Sequence, residues 1–146
     1  MGNSGFQVSP SIIILGGIVA IGIFYLLTLQ NALKAVSPEN RKIEPGGVWV
    51  MLVPILNSIF IFFIVDVIAT SFKQEYEKYG VYTNGKPTFY LGMAMAILSI
   101  AGYFFGVLEI AACACWIAYW IKVNQHKNEL IDLNQKFKND KTSIFS

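Results

Sequence analysis

Long apolar segments alternate with short polar ones along this chain, and the charged residues are almost confined to the polar ones. Residues 4–33 and 45–65 contain no charged side chain, and residues 88–121 contain one, Glu109. A helix of about 20 apolar residues crosses a hydrocarbon core of about 30 Å. As a single helix the third segment would be about 50 Å long, so we expect it to fold back on itself. The pattern predicts an all-α integral membrane protein built as a four-helix transmembrane bundle.

Turn-forming residues place the predicted boundaries of these helices. The four spans are predicted at residues 11–30, 48–67, 88–103 and 106–123. Pro54 lies inside the second span and predicts a kink there. Gly102 and Gly106 flank three aromatic residues and predict a tight hairpin between the third and fourth helices. We expect a single transmembrane domain, residues 1–146.

The tail, residues 124–146, is polar but keeps an apolar stripe. Val123, Leu130 and Phe137 recur at intervals of seven residues, with Leu133 between them, which places them on one helical face. This predicts a short amphipathic C-terminal helix. Either it continues the last span and leans on the membrane surface or on its own bundle, or it docks a soluble partner.

Composition agrees with a membrane protein and argues against nucleic acid as a partner. Hydrophobic residues make up 55% of the chain and charged residues 14%, against about 25% charged residues in soluble domains. The net charge of +2 is too small for a nucleic-acid-binding surface. The expected partners are the lipid bilayer and other membrane protein subunits or further copies of this chain.

The eleven Lys and Arg residues lie in three clusters, around residues 34–42, 73–86 and 122–141. With four spans and a cytoplasmic N-terminus, the second and third clusters lie inside and only Lys34, Arg41 and Lys42 lie outside. The positive-inside rule favours that arrangement over its reverse. We therefore expect both termini in the cytoplasm.

Three polar side chains within the predicted spans are candidates for function, because such residues are costly in lipid. Asp66 lies near the end of its span, where an interfacial position or an ion pair explains it as well as an ion or proton pathway does. With a turn at residues 102–106, Glu109 falls in the first turn of the fourth helix, near the opposite face. In a single tilted span it would instead be deeply buried and a candidate proton relay. Asn57 is expected to satisfy a carbonyl group freed by the kink at Pro54 or to bond a neighbouring helix.

The first loop, residues 37–47, is a candidate interaction surface. It carries Glu39, Arg41 and Lys42 between two prolines, and stiff loops on a scaffold often bind partners. The alternative is a simple connector, in which the prolines end one helix and begin the next.

The sequence predicts no catalytic residue, no cofactor and no metal site. Cys113 and Cys115 are two residues apart on a predicted helix, so their side chains point about 200° apart. The one histidine, His126, lies outside the last predicted span. These residues do not supply the ligand sets that zinc or haem requires.

Several motifs resemble a small, uncharacterised family of bacterial multi-pass inner-membrane proteins. Ser37 to Lys42 reads SPENRK, and Pro45-Gly46, Val48-Trp49, Leu52, Pro54 and Asn57 follow at the family's spacing. Residues 68–72, 75–76 and 116–122 resemble the family's polar helix end and its final span. The resemblance implies the bacterial inner membrane and four helices, and it assigns no activity. Family members tend to have a proline in the last hairpin, where this chain has aromatic residues 103–105.

These observations lead to two hypotheses about function. The first is a non-enzymatic accessory or scaffold subunit of an inner-membrane assembly, which acts through helix packing and its tail. The alternative is a homo-oligomeric ion channel or small transporter, suggested by the polar residues within the spans.

Overall fold

The computed structural model describes residues 9–144, and all of the regular structure in that range is helical. Four α-helices are present: α1 (Pro10–Ala35), α2 (Pro54–Lys78), α3 (Phe89–Gly102) and α4 (Val107–Ile144). Two 3₁₀ helices, Pro38–Asn40 and Pro45–Leu52, connect α1 to α2. The prediction of an all-α chain is confirmed.

Three of these helices are long and apolar enough to cross a membrane. They are Pro10–Ala35 in α1, Leu56–Lys78 in α2 and Val107–Ser143 in α4. The remaining helix, α3, has 14 residues and is therefore about 21 Å long, which is shorter than the hydrocarbon core of about 30 Å.

The second helix begins later than predicted, and Pro54 starts it rather than kinking it. Residues 45–52 form the second 3₁₀ helix, here called the return segment, and α2 begins at Pro54 itself. Proline lacks an amide hydrogen and suits the first position of a helix far better than its interior. Gly46 and Gly47 weaken the segment before it as an α-helix. The second α-helix therefore begins at Pro54 rather than at Val48, and the predicted kink is absent.

α1, α2 and α4 all run in the same direction. Along α1 and α4, Tyr25 stacks on Trp116 with ring centroids 5.2 Å apart, and further on the Trp120 indole donates to Thr28. Along α2 and α4, Phe72 meets His126, and further on Tyr79 stacks on Phe137. Residue numbers rise together in both pairs, which is the signature of parallel helices.

The return segment makes this parallel arrangement possible. The Trp49 indole donates to Oε1 of Gln30 at 3.0 Å, and Leu52 reaches the level of Gly22, with which it lines one cavity. The chain thus runs back along α1 before α2 begins. We call the end that holds the last turns of α1 and α2 the polar end, and the end that holds the starts of α2 and α4 the apolar end.

This arrangement overturns the expected positions of the first loop and the end of α2. They were expected on opposite faces of the membrane, yet Ser37 and Glu75 are hydrogen-bonded to each other. Pro10 and Ile144 lie at opposite ends of the molecule instead. α3 alone runs the other way, and it pairs with α4 across the turn at residues 103–106.

α4 continues without a break from Val107 to Ile144, so the tail is not a separate helix. Val123 and Leu130 on the apolar stripe are fully buried, and Phe137 stacks on Tyr79 of α2. The tail thus continues the last helix and leans on its own bundle, as the first alternative predicts, while docking of a soluble partner stays a prediction. The core is shared by all four α-helices and includes Leu29, Leu33, Ile64, Ile68, Phe72, Met95 and Tyr119.

Candidate functional site

Glu75 is the centre of a hydrogen-bond network at the polar end, and its side chain is completely buried. Its carboxylate accepts hydrogen bonds from the Ser37 amide at 3.1 Å, the Ser37 hydroxyl at 2.7 Å and the Asn40 side-chain amide at 2.8 Å. A buried carboxylate is tolerated only when donors surround it in this way. The network therefore fixes the first loop onto α2.

Lys78 closes the network on its solvent side. Its ammonium group donates to Oγ of Ser37 at 2.6 Å and to Oε1 of Glu39 at 2.9 Å. It also lies 3.9 Å from Oε1 of Glu75. The hydrogen bond from Lys78 lowers the pKa of Glu39 below its ordinary value. Glu39 itself is 61% exposed, so it remains available to solvent or to a partner.

Arg41 and Lys42, the other two candidates in the first loop, also bond the helices beneath them. The Arg41 guanidinium donates to the carbonyl oxygens of Val36 and Lys34 at 2.8 and 3.1 Å, which satisfies acceptors left open at the end of α1. The Lys42 backbone amide donates to Oγ of Ser71 at 3.2 Å. The first loop is thus a packed part of the bundle rather than a free connector.

Sequence reasoning missed Glu75, although the chain carries a signal for it. Ile68, Phe72 and Glu75 are spaced by four and three residues, so the carboxylate continues the apolar face of α2 beyond the predicted span. A charge on a buried face needs partners. Ser37 and Asn40 in the first loop were the polar residues able to supply them.

A second polar cluster joins α2 to α4 at the same end. The Tyr76 hydroxyl donates to Oε2 of Glu129 at 2.5 Å and lies 2.8 Å from Nδ1 of His126. Nδ1 of His126 is also 3.2 Å from Oε2 of Glu129. Because Tyr76 is buried, this cluster fixes the part of α4 that follows Val123, here called the extension of α4, against α2.

The structure brings Asn57 and Glu109 together but leaves Asp66 apart. Asn57 and Glu109 line one cavity of about 200 Å³ at the apolar end, together with Ser58, Ser99 and Tyr103. Oδ1 of Asn57 is buried and has no hydrogen-bond partner among the described residues. Because Pro54 starts α2, no carbonyl group is freed within that helix for Asn57 to satisfy, and its bond to a neighbouring helix stays a prediction.

Asp66 lies far from that cavity along α2 and accepts a hydrogen bond from Lys86 at 2.5 Å. Both side chains are partly exposed, as an ion pair near the membrane surface would be. Glu109 lies in the first turn of α4, beside Gly102 at the end of α3. No contact joins the two carboxylates into one site.

The described residues offer no cluster of three or more His, Cys, Asp or Glu that could hold a metal ion. Cys113 and Cys115 are free thiols, the first exposed and the second half-buried. No protein-family model, curated protein or solved structure matches the chain. The resemblance stated above therefore stays a prediction, and function has to be argued from the geometry.

Proposed function

We propose that this chain is a non-enzymatic integral membrane protein that serves as an accessory or scaffold subunit of a bacterial inner-membrane assembly. The observation that supports this most directly is the exposure of the apolar side chains on the first half of α1. From Ile12 to Phe24 its large apolar side chains are exposed, most of them by more than half. From Tyr25 onward the same helix contributes buried residues to the core.

The small residues on that half favour a helix rather than lipid alone as its neighbour. Apart from the adjacent residues and backbone of α1 itself, no described atom lies within 4 Å of the position that a Cβ atom would occupy at Gly16, Gly17 or Gly22. Small residues on a transmembrane helix let another helix approach closely, which increases van der Waals contact. A lipid tail gains little from such a smooth surface.

The lengths of the helices point the same way. The Tyr25–Trp116 contact sets the register of α1 against α4, so the first six residues of α1 extend about 9 Å past the start of α4. The short α3 and its turn cannot cover them. A transmembrane helix of another subunit would fill the space beside this part of α1.

The arrangement of charge supports an orientation that replaces the two cytoplasmic termini expected from the sequence. Because α1, α2 and α4 run parallel, all three basic clusters lie on the side of the polar end, and they contain all eleven Lys and Arg residues. The positive-inside rule then favours a cytoplasmic polar end. In this orientation the C-terminal end of α4 is cytoplasmic and the start of α1 faces the opposite side.

The alternative function is a homo-oligomeric ion channel or small transporter, and Asn57 is the observation that favours it. An unpartnered amide oxygen beside the Glu109 cavity would gain partners if copies of the chain enclosed water there. Against this, the cavity holds about 200 Å³, and Asp66, further along α2, is neutralised by Lys86.

Native mass spectrometry after extraction in a mild detergent tests the proposal. We expect a stoichiometric complex with a different membrane protein, and we expect the double variant Gly16→Leu/Ala20→Leu to lose that partner while remaining folded. Ala111→Leu, on an exposed part of α4, is the matched control and should keep it. A closed ring of identical chains would support the channel instead. A monomer that the double variant leaves unchanged would contradict the scaffold role and mean that α1 contacts only lipid.

A further inference from the structure

A basic cavity of about 570 Å³ lies at the polar end, between the last turns of α1 and the extension of α4. Three lysines line it: Lys34, Lys127 and Lys138. The side-chain amides of Asn31, Asn134 and Gln135 lie between them, and no carboxylate lines the cavity. Ammonium groups and amides are hydrogen-bond donors that suit an anion.

The helical repeat of α4 keeps acidic side chains away from this cavity. At about 100° per residue, Lys138 and Lys141 lie within about 40° of Lys127 around the helix axis. Glu129, Asp132 and Asp140 lie between about 140° and 220° from it, on the opposite side. The side of α4 that lines the cavity is therefore basic and carries no carboxylate, whereas Lys122 and Lys136 lie with the acidic residues on the opposite side.

Within residues 9–144, the three cavity lysines have no carboxylate oxygen within 4.0 Å, since the salt bridges formed there involve other basic residues. The ammonium group of Lys127 donates to Oδ1 of Asn124 at 2.7 Å, which leaves its charge uncompensated. The cavity thus concentrates three positive charges that no carboxylate within residues 9–144 neutralises.

The position of the cavity relates it to the membrane surface. Its inner end, at Asn31, is less than one turn beyond Thr28, which accepts a hydrogen bond from the Trp120 indole at 2.9 Å. The Trp49 indole bonds Gln30 at the same level. Tryptophan side chains favour the boundary between hydrocarbon and headgroups. The cavity therefore begins in the headgroup layer and extends outward along α4 for about 16 Å.

We infer that this cavity binds the phosphate-bearing headgroup of an anionic phospholipid. Basic pockets between transmembrane helices on the cytoplasmic side suit such headgroups, because each lysine near the surface attracts anionic lipid. The acyl chains would lie beside the apolar part of α1 that precedes Asn31. This inference rests on the membrane insertion that the proposed function assumes, but it does not depend on the scaffold role.

The test is a titration of the full-length protein in detergent with a two-phosphate cardiolipin, with phosphatidylglycerol and with phosphatidylcholine, followed by native mass spectrometry. We expect anionic lipid to bind and phosphatidylcholine not to compete. Replacing the three cavity lysines by glutamine should weaken cardiolipin binding about fivefold for each lysine, and about a hundredfold in the triple variant. The matched control is Lys42→Gln/Lys73→Gln/Lys136→Gln, which removes the same charge elsewhere and should change binding less than about twofold.

A second arm separates a lipid from a soluble anion. Inorganic phosphate and glycerol phosphate are added at millimolar concentration, and each is also titrated alone. Binding of either one with the affinity of the lipid and the same lysine dependence would overturn the lipid assignment. So would equal losses in the two triple variants, or an acidic protein that occupies the cavity stoichiometrically. If the triple variant is unstable, the single variant Lys138→Gln, which lies far from the core, still tests the cavity. Retention of the subunit partner is a separate measurement that tests the proposed function.

Discussion

The two ends of the bundle differ in how one buried polar side chain is partnered. At the polar end the buried carboxylate of Glu75 accepts three hydrogen bonds from the first loop. At the apolar end Oδ1 of Asn57 is buried without a partner among the described residues, while the apolar side chains of α1 are exposed beside it. The buried carboxylate at one end is therefore surrounded by donors, whereas the buried amide oxygen at the other end has none.

The difference follows from the solvent at each end. In water, burial of apolar surface is favourable and a buried charge needs donors. In lipid, helices gain no hydrophobic free energy from contact with one another, and packing and small residues decide association. We infer that the polar end determines the relative positions of the three parallel helices, whereas the apolar end is completed by lipid or by a partner.

The largest expected effect concerns the side of the membrane on which each end lies. In a background with Cys113 and Cys115 replaced by alanine, a cysteine at Ser11 should react with an impermeant maleimide on intact cells. A cysteine at Thr142 should react only after the membrane is opened. Equal labelling of both positions from one side would contradict parallel long helices and restore the arrangement with both termini on the same side.

Glu75→Gln should produce the largest loss of stability of any single change at the polar end. The new amide nitrogen is a donor placed among donors, and the charge that held them is gone, so we expect a loss of about 3 kcal/mol in the free energy of unfolding. Unfolding in mixed detergent micelles, followed by circular dichroism, measures it.

Glu77→Gln is the matched control for that experiment. Glu77 forms an exposed pair with Lys73 at 3.8 Å, and such pairs contribute about 0.5 kcal/mol or less. Equal effects of the two substitutions would show that the first loop does not depend on the buried carboxylate.

Substitutions at two glycines should distinguish the closely packed part of the bundle from the open part, with a smaller effect on stability. A Cβ atom at Gly92 would lie 2.5 Å from Cγ1 of Val65 and 2.7 Å from Cε2 of Tyr119, so Gly92→Ala should cost about 1–3 kcal/mol. Gly22→Ala meets nothing within 4 Å and should be neutral or slightly stabilising, because alanine favours helix. Thermal unfolding of both variants in the same detergent compares them. A Gly92→Ala variant as stable as the wild type would mean that α3 does not pack against α2 and α4 as closely as described.

The sequence predicted the helical class because charge-free segments have few stable alternatives in a membrane. It did not predict the path between α1 and α2. Pro45, Gly46 and Pro54 were interpreted as a loop and a kink within one span, but together they interrupt the α-helix and produce the return segment. Hydropathy predicts the length of a membrane span but not its direction. The parallel arrangement of the helices therefore follows only from tertiary contacts such as that of Ser37 with Glu75.

The candidate site was predicted in part for a related reason. The sequence predicted Asp66, Asn57 and Glu109 as candidates because they are polar residues within apolar segments. It did not predict Glu75, because Glu75 follows the span in sequence, where charged residues are expected. Its burial depends on the first loop folding over α2, a tertiary contact that spans 38 residues and that no local pattern contains.

The smallest expected effect, and the one that decides how the apolar end is completed, comes from Asn57→Leu. In a subunit whose apolar end faces lipid, the substitution removes a buried acceptor that has no donor, so stability should stay constant or rise by about 1 kcal/mol. Ser99→Ala is the control, because the Ser99 hydroxyl already donates to the Met95 carbonyl at 2.9 Å and its loss should cost little. If copies of the chain instead enclose water at Asn57, the leucine would dry that space and abolish cation flux into vesicles. Loss of flux with an intact ring of identical chains would therefore favour the channel over the scaffold subunit.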